Sequence, residues 1–166
     1  MTTAFALASD VEKRALMVLI PFAKGKGIRI VLTDDQPILQ KTIGDMIVQH
    51  LGHSPYTAEL KAEETNKHGN LYLESWSNKP LLTPGWMHTT RADRLWYFFL
   101  EQRLLYSCNM SDLREWAFVK RRAKDFPEKR QEKREQLNET WGFCVPISIL
   151  ELEIMSFNHI EIDNGL

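Results

Sequence analysis

The stretch from Ile43 to Glu64 constrains this chain most. The β-branched and apolar run Met46-Ile47-Val48-Gln49-His50 meets the cluster Gly52-His53-Ser54-Pro55, and a second run, Tyr56-Thr57-Ala58-Glu59-Leu60-Lys61, follows. Such a pattern predicts two strands folded back on each other. A pairing centre at Gly52 sets Asp45 opposite Glu59, and a centre at His53 sets Asp45 opposite Lys61. Side chains at i and i+2 share a strand face, so either register gathers Asp45, Glu59 and Lys61 on one side while Leu60 points away. Two carboxylates and an ammonium in one patch are expected of a hard-cation site with a charge-positioning lysine. The plainer reading of the same residues is a solvated, salt-bridged hairpin.

The flanking sequence frames that hairpin. Ser9-Asp10-Val11-Glu12 has the form of a capping box, and apolar residues follow at Ala15, Leu16, Leu19, Ile20 and Ala23. A first helix is expected from about residue 10 to Lys24, with Pro21 kinking or shortening it. Capping accounts for Glu12; a third carboxylate at the cation site is the alternative. Ile28 to Thr33 is a strand by its β-branched content. Asp34 and Asp35 shape a turn, and a short loop runs through Gln40 and Lys41. A polar loop covers 62–69. Asn70 to Trp76 alternates and is expected as a strand beside the Glu59 strand, and Trp86 to Thr89 as a brief return to the sheet. The aromatic run Asp93 to Phe99 reads as one arm of a hairpin with 104–108, or as a helix. A helix starting at Ser111 carries Trp116, Ala117 and Val119, and Pro127 breaks it. Trp141 to Pro146 reads as strand and Ile147 to Ile154 as a short helix. The order implies one α/β domain with a mixed central sheet, an N-terminal helix and further helices on its faces.

Charge and composition narrow the chemistry. A net charge of −1 over 166 residues gives no global nucleic-acid signature. Between Arg114 and Glu135, however, nine Lys/Arg (Arg114, Lys120, Arg121, Arg122, Lys124, Lys129, Arg130, Lys133, Arg134) face five acids. This run either tracks a phosphate backbone or forms a solvated helix with i,i+4 pairs. Cys108 and Cys144 are far apart and read as reduced thiols. No apolar run nears the roughly 18 residues of a membrane span, and the first ten residues lack a charged leader region, so a cytoplasmic location is expected. The five histidines show no zinc spacing such as H-E-x-x-H, and no Gly-rich loop ending in Gly-Lys-Ser/Thr suggests ATP use.

Gly44-Asp45, thirteen residues, then Glu59-Leu60-Lys61, behind a helix and a strand, resembles the PD-(D/E)XK nuclease superfamily with its restriction-endonuclease-like fold. The spacing is also similar to that of archaeal-type Holliday junction resolvases, which carry a first-helix glutamate, here Glu12. Gly69-Asn70, Glu74-Ser75-x-Ser77-Asn78, Thr83-Pro84-Gly85-Trp86, Ala92-Asp93 and Gln136-x-Asn138-x-Thr140-x-Gly142 before Val145-Pro146 resemble small phage and bacterial nuclease-like proteins. Gly44 stands where the superfamily usually has proline. The resemblance spans about residues 9–148 of a single domain, 1–166. It implies a DNA endonuclease using Mg2+, with Mn2+ as substitute. Asp45, Glu59 and the Leu60 backbone carbonyl would hold the ion, Lys61 would assist the water, and Glu12 would be a further site carboxylate. DNA contacts are expected from Lys67, Asn70, Trp76, Asn78, Arg121 and Arg122. RNA is the alternative substrate, and the location is the host cytoplasm if the protein is phage-encoded. A homodimer is expected for cutting both strands, with Trp96-Tyr97-Phe98-Phe99 serving as its interface or as core. The rival reading is a catalytically silent nuclease-like fold that binds nucleic acid or protein.

Overall fold

The computed structural model describes residues 4–132 and 138–163. Helix α1 (Ala4–Gly25) leads into β1 (Ile28–Leu32), α2 (Pro37–Ile43), β2 (Met46–His50) and β3 (Tyr56–Glu63). Next come β4 (Asn70–Asn78), β5 (Thr83–Pro84), α3 (Trp86–Thr89), β6 (Arg94–Phe99) and β7 (Leu104–Asn109). The chain continues through α4 (Met110–Arg114), a π-helical turn (Glu115–Val119), a 3-10 turn (Arg122–Asp125), β8 (Glu128–Arg130), β9 (Trp141–Pro146), α5 (Ile147–Glu153) and β10 (Asn158–Glu161). The protein is mixed α/β. Among the described residues, no helix is long and apolar enough to cross a membrane.

Six strands form a mixed sheet in the order β1-β2-β3-β6-β7-β10. Only β3 and β6 run parallel in it, since β4, β5 and α3 form the crossover between them. A second, antiparallel sheet has the order β5-β4-β9-β8. The Asn70 strand is therefore not beside the Glu59 strand as expected. It pairs with β9, placing Leu71 opposite Val145 across some seventy residues of chain.

The six-stranded sheet is covered on both faces. Ala15 and Leu19 of α1 pack against Met46, Val48, Leu60 and Phe98 on one side. On the other, Leu95, Tyr97 and Phe99 meet Leu71 and Leu73 of β4, Val145 of β9 and the short helices. A strand buried on both faces loses its alternation and reads as a continuous apolar run. That explains why Asp93 to Phe99 was ambiguous with helix, and it assigns the Trp96–Phe99 rings to the core rather than to a dimer interface.

Three local expectations are corrected. Helix α1 begins at Ala4, because the Ala/Leu-rich opening residues favour helix. Glu12 is thus inside the helix and has no capping role. Residues 37–43 are helical rather than looped. Trp86 to Thr89 is a helical turn, not a strand.

Candidate active site

Strands β2 and β3 pair with Met46 opposite Ala58 and Val48 opposite Tyr56, the register centred on Gly52. Asp45 lies one residue beyond the last pair, at the position facing Glu59. Its backbone still joins three strands: its N–H donates to the Ala58 carbonyl at 3.0 Å and its carbonyl accepts from Thr33 N–H at 3.0 Å. The side chain then takes over where the ladder stops. Leu60 N–H donates to Asp45 Oδ2 at 2.8 Å, and Gln40 Nε2 of α2 donates to Oδ1 at 3.1 Å. Leu60 thus reaches Asp45 through its amide, while its side chain is buried under α1.

Gly44 makes this geometry reachable. Its backbone (φ +97°, ψ −166°) lies in a region essentially reserved for glycine. A Cβ there would meet the Ala92 Cβ at 2.8 Å and the Ala58 carbonyl oxygen at 3.0 Å. Proline, fixed near −65°, cannot take this conformation. This chain therefore enters β2 by a path that only glycine follows.

Lys61 sits among acids. Its Nζ is 2.9 Å from Glu59 Oε1 and 3.9 Å from Glu12 Oε1, and it lies 5.9 Å from the Trp86 ring centroid. Glu59, with a side chain 12% exposed, has its other oxygen, Oε2, held by the Thr90 hydroxyl at 2.8 Å. Thr90 is held in turn. Arg114 donates to the carbonyls of Met87 (2.8 Å) and Thr90, pinning both ends of the α3 turn.

The charge balance sets the protonation states. Burial first, and then the Glu59 charge, push the Asp45 carboxyl above its ordinary range, outweighing Lys61 and the bonds from Gln40 and Leu60. For Lys61, burial alone would lower the ammonium, but Glu59, Glu12 and Asp45 outweigh it and the net displacement is upward. Lys61 therefore stays cationic at neutral pH, which suits it to donate hydrogen bonds and unsuits it as a general base.

The four groups open into a cleft of about 1400 Å³ between the two sheets. The donor set is all hard oxygen. Among the described residues, no three His, Cys, Asp or Glu side chains converge closely enough to hold an ion. Asp45 and Glu59 remain as a pair, while Glu12 reaches the site through Lys61. A pair suffices for Mg2+, which keeps several waters and often takes only one or two carboxylates beside a substrate phosphate. Each carboxylate oxygen, though engaged once, has a second lone pair.

The other expected contacts separate. Lys67 and Asn70 line the same cleft as Asp45, Glu59 and Lys61. Asn78 donates to the Asn138 side chain. Trp76 and Arg121 line a second hollow of about 650 Å³, where His88 stacks on Phe118. Arg122 is engaged by Asp125 and by Glu153, 2.6 Å away. The basic run therefore divides. Arg114, Lys120 and Arg122 have intramolecular partners, Lys129 and Arg130 reach the cleft, and Lys133, Arg134 and Gln136 lie outside the described residues. Sequence patterns gave no sign of Thr90, and placed Gln40 only in a loop and Arg114 only in the basic run; their contacts here come from separate elements. Comparison of the chain with protein-family models, curated proteins and solved structures finds no match, and its chemistry is read from the cleft itself.

Proposed function

We propose that this chain is a divalent-cation-dependent nuclease of the restriction-endonuclease-like fold, hydrolysing phosphodiester bonds of DNA in the cleft between its sheets. The observation that carries this reading is the shared strand face on which Asp45 and Glu59 oppose each other with Lys61 at 2.9 Å from Glu59. The element order adds support: a helix, three antiparallel strands and a crossover to a parallel fourth, with the Asp immediately before β2 and Glu-x-Lys on β3.

Asp45 and Glu59 would hold Mg2+ or Mn2+, with the Leu60 peptide beside them. A bound cation there neutralises phosphoryl oxygens and makes its water a better nucleophile. Asp45 presents its carboxylate in one orientation, because Leu60 N–H and Gln40 hold an oxygen each. Thr90 does the same for Glu59. Lys61 remains a cation throughout and offers its remaining N–H donors to a non-bridging phosphate oxygen or to the attacking water. Glu12 keeps that ammonium aimed at the cleft.

The test is cleavage of plasmid, linear and branched DNA, and of single-stranded RNA, with Mg2+ or Mn2+. Lys61→Met and Asp45→Asn are each expected to lose about 10²- to 10³-fold or more in rate, the scale of one preorganised electrostatic group. Cleavage by both variants at the wild-type rate overturns the proposal. So does binding without cleavage by the wild type, which would mark a nuclease-like binding module instead.

A further inference from the structure

Charge along the cleft is sorted by depth. The carboxylates of its floor, Asp45 and Glu59 among them, are partly buried, whereas its rim carries exposed cations: Lys13 on α1, Lys41 on α2, Lys67 between β3 and β4, and Lys129 and Arg130 on β8. Among the described residues, none of these five forms an ion pair with a carboxylate. Elsewhere, Arg14, Lys79, Lys120 and Arg122 are paired. Lys24, Lys26, Arg29, Arg91 and Lys124 are exposed and likewise in no ion pair among the described residues, so what marks the rim is that its cations border one cleft. Among the described residues, Asp34 is the one exposed acid on the lining.

The rim cations come from both sheets. Lys13 and Lys41 stand on helices flanking the six-stranded sheet, and Lys129 and Arg130 stand on the edge strand of the other. Strand β8 is fixed there by its pairing with β9 and by the Tyr72 hydroxyl, which donates to the Lys129 carbonyl at 3.0 Å. A small anion would need one side only. The cleft volume also exceeds the roughly 300–1,000 Å³ of ordinary small-ligand pockets.

Resting on the nuclease reading above, we infer that Lys129 and Arg130 form a clamp for the sugar–phosphate backbone of a nucleic-acid strand. The strand crosses the cleft from the α1–α2 side to β8 and passes over the acidic floor. Net charge hides this device, because the acids that balance the rim cations lie deeper in the cleft or elsewhere on the chain.

The experiment measures binding of fluorescent 16-nucleotide single strands and duplexes of two unrelated sequences. Ca2+ replaces Mg2+ so that the strands survive, and salt is varied. The Lys129→Gln/Arg130→Gln double variant is expected to flatten the slope of log affinity against log salt. The change is roughly 1.4 for single strands or 1.8 for duplexes, two phosphates' worth, and is the same for both sequences. Lys129→Arg/Arg130→Lys should restore the slope, and Lys24→Gln/Lys26→Gln, which removes the same charge outside the cleft lining, should leave it alone. An unchanged slope in the β8 double variant overturns the inference, as does an equal fall in the Lys24/Lys26 control. Metal-dependent cleavage by the wild type with an unchanged β8 slope would sink only the clamp. A wild type that neither binds nor cuts nucleic acid would sink both readings.

Discussion

Replacing Asp45 by Asn should make the metal-free protein more stable, although it removes a carboxylate of the proposed cation site. Asp45 is driven toward its protonated form by burial and by Glu59. It therefore binds its proton more tightly in the folded chain than in the unfolded one. Its contribution favours folding most below the ordinary value of 3.8 and is withdrawn as pH rises through the raised one. At neutral pH the ionised carboxylate is a liability that asparagine lacks. Asparagine also preserves both hydrogen bonds: its Oδ1 accepts from Leu60 N–H, and Gln40 turns its amide over to accept from Nδ2.

Geometry bounds the size of the effect. Facing residues of an antiparallel pair sit about 5 Å apart, where two unit charges repel by about 3 kcal/mol at an effective dielectric near 20. Losing the attraction between Asp45 and Lys61 returns much of this, leaving a net gain of about 1–2 kcal/mol. For a chain of this length that is a rise in Tm of about 3–6 °C. The assay is thermal unfolding of wild type and Asp45→Asn in EDTA across about pH 4 to 7. The gap should open with rising pH and nearly close at the acid end. Adding Mn2+ should invert the order: a ligand at a hundred times its Kd adds about 2.7 kcal/mol to the wild type, and the variant should gain less. A variant less stable than wild type at pH 7, or a gap that ignores pH, would refute the account of the floor as an under-neutralised acid pair.

Two further substitutions test how the site is held. Gly44→Ala must strain a glycine-only backbone and push on Ala92, costing about 3 kcal/mol or more and lowering Tm by about 6–12 °C; calorimetry showing a change under 2 °C would contradict the close approach. Thr90→Val removes the donor to Glu59 and should cost about 2 kcal/mol, the scale of a hydrogen bond to a charged group. Thr90→Ser should recover most of that loss, and a Thr90→Ser variant that loses stability while Thr90→Val does not would mean that methyl packing, not the hydroxyl, is what matters.

The charged centre was legible in the sequence because it is local. Asp45, Glu59 and Lys61 fall within one hairpin, whose turn at Gly52 fixes the register and therefore the face. The mixed α/β class, β6 and β7 as a hairpin, and strand β9 with helix α5 were readable from patterns of similar range. The second sheet was not, because β4 and β9 specify each other only once the chain between them has folded back. The same distance hid how the charges are divided. Arg122 looked free for phosphate in the sequence, yet its partner Glu153 lies 31 residues on. Lys129 and Arg130 looked like more of the same run but belong to another sheet and another surface. Thr90 carried no signal and Arg114 read only as part of the basic run, since their role consists of bonds made to a carboxylate 31 residues upstream of Thr90 and to the turn that presents it. The identities of the three charged groups are thus encoded within seventeen residues of chain, from Asp45 to Lys61, while their orientation and proton affinity are encoded by residues from Glu12 to Arg114. A change far from the motif, such as Thr90→Val, therefore alters what the motif does without altering how it reads.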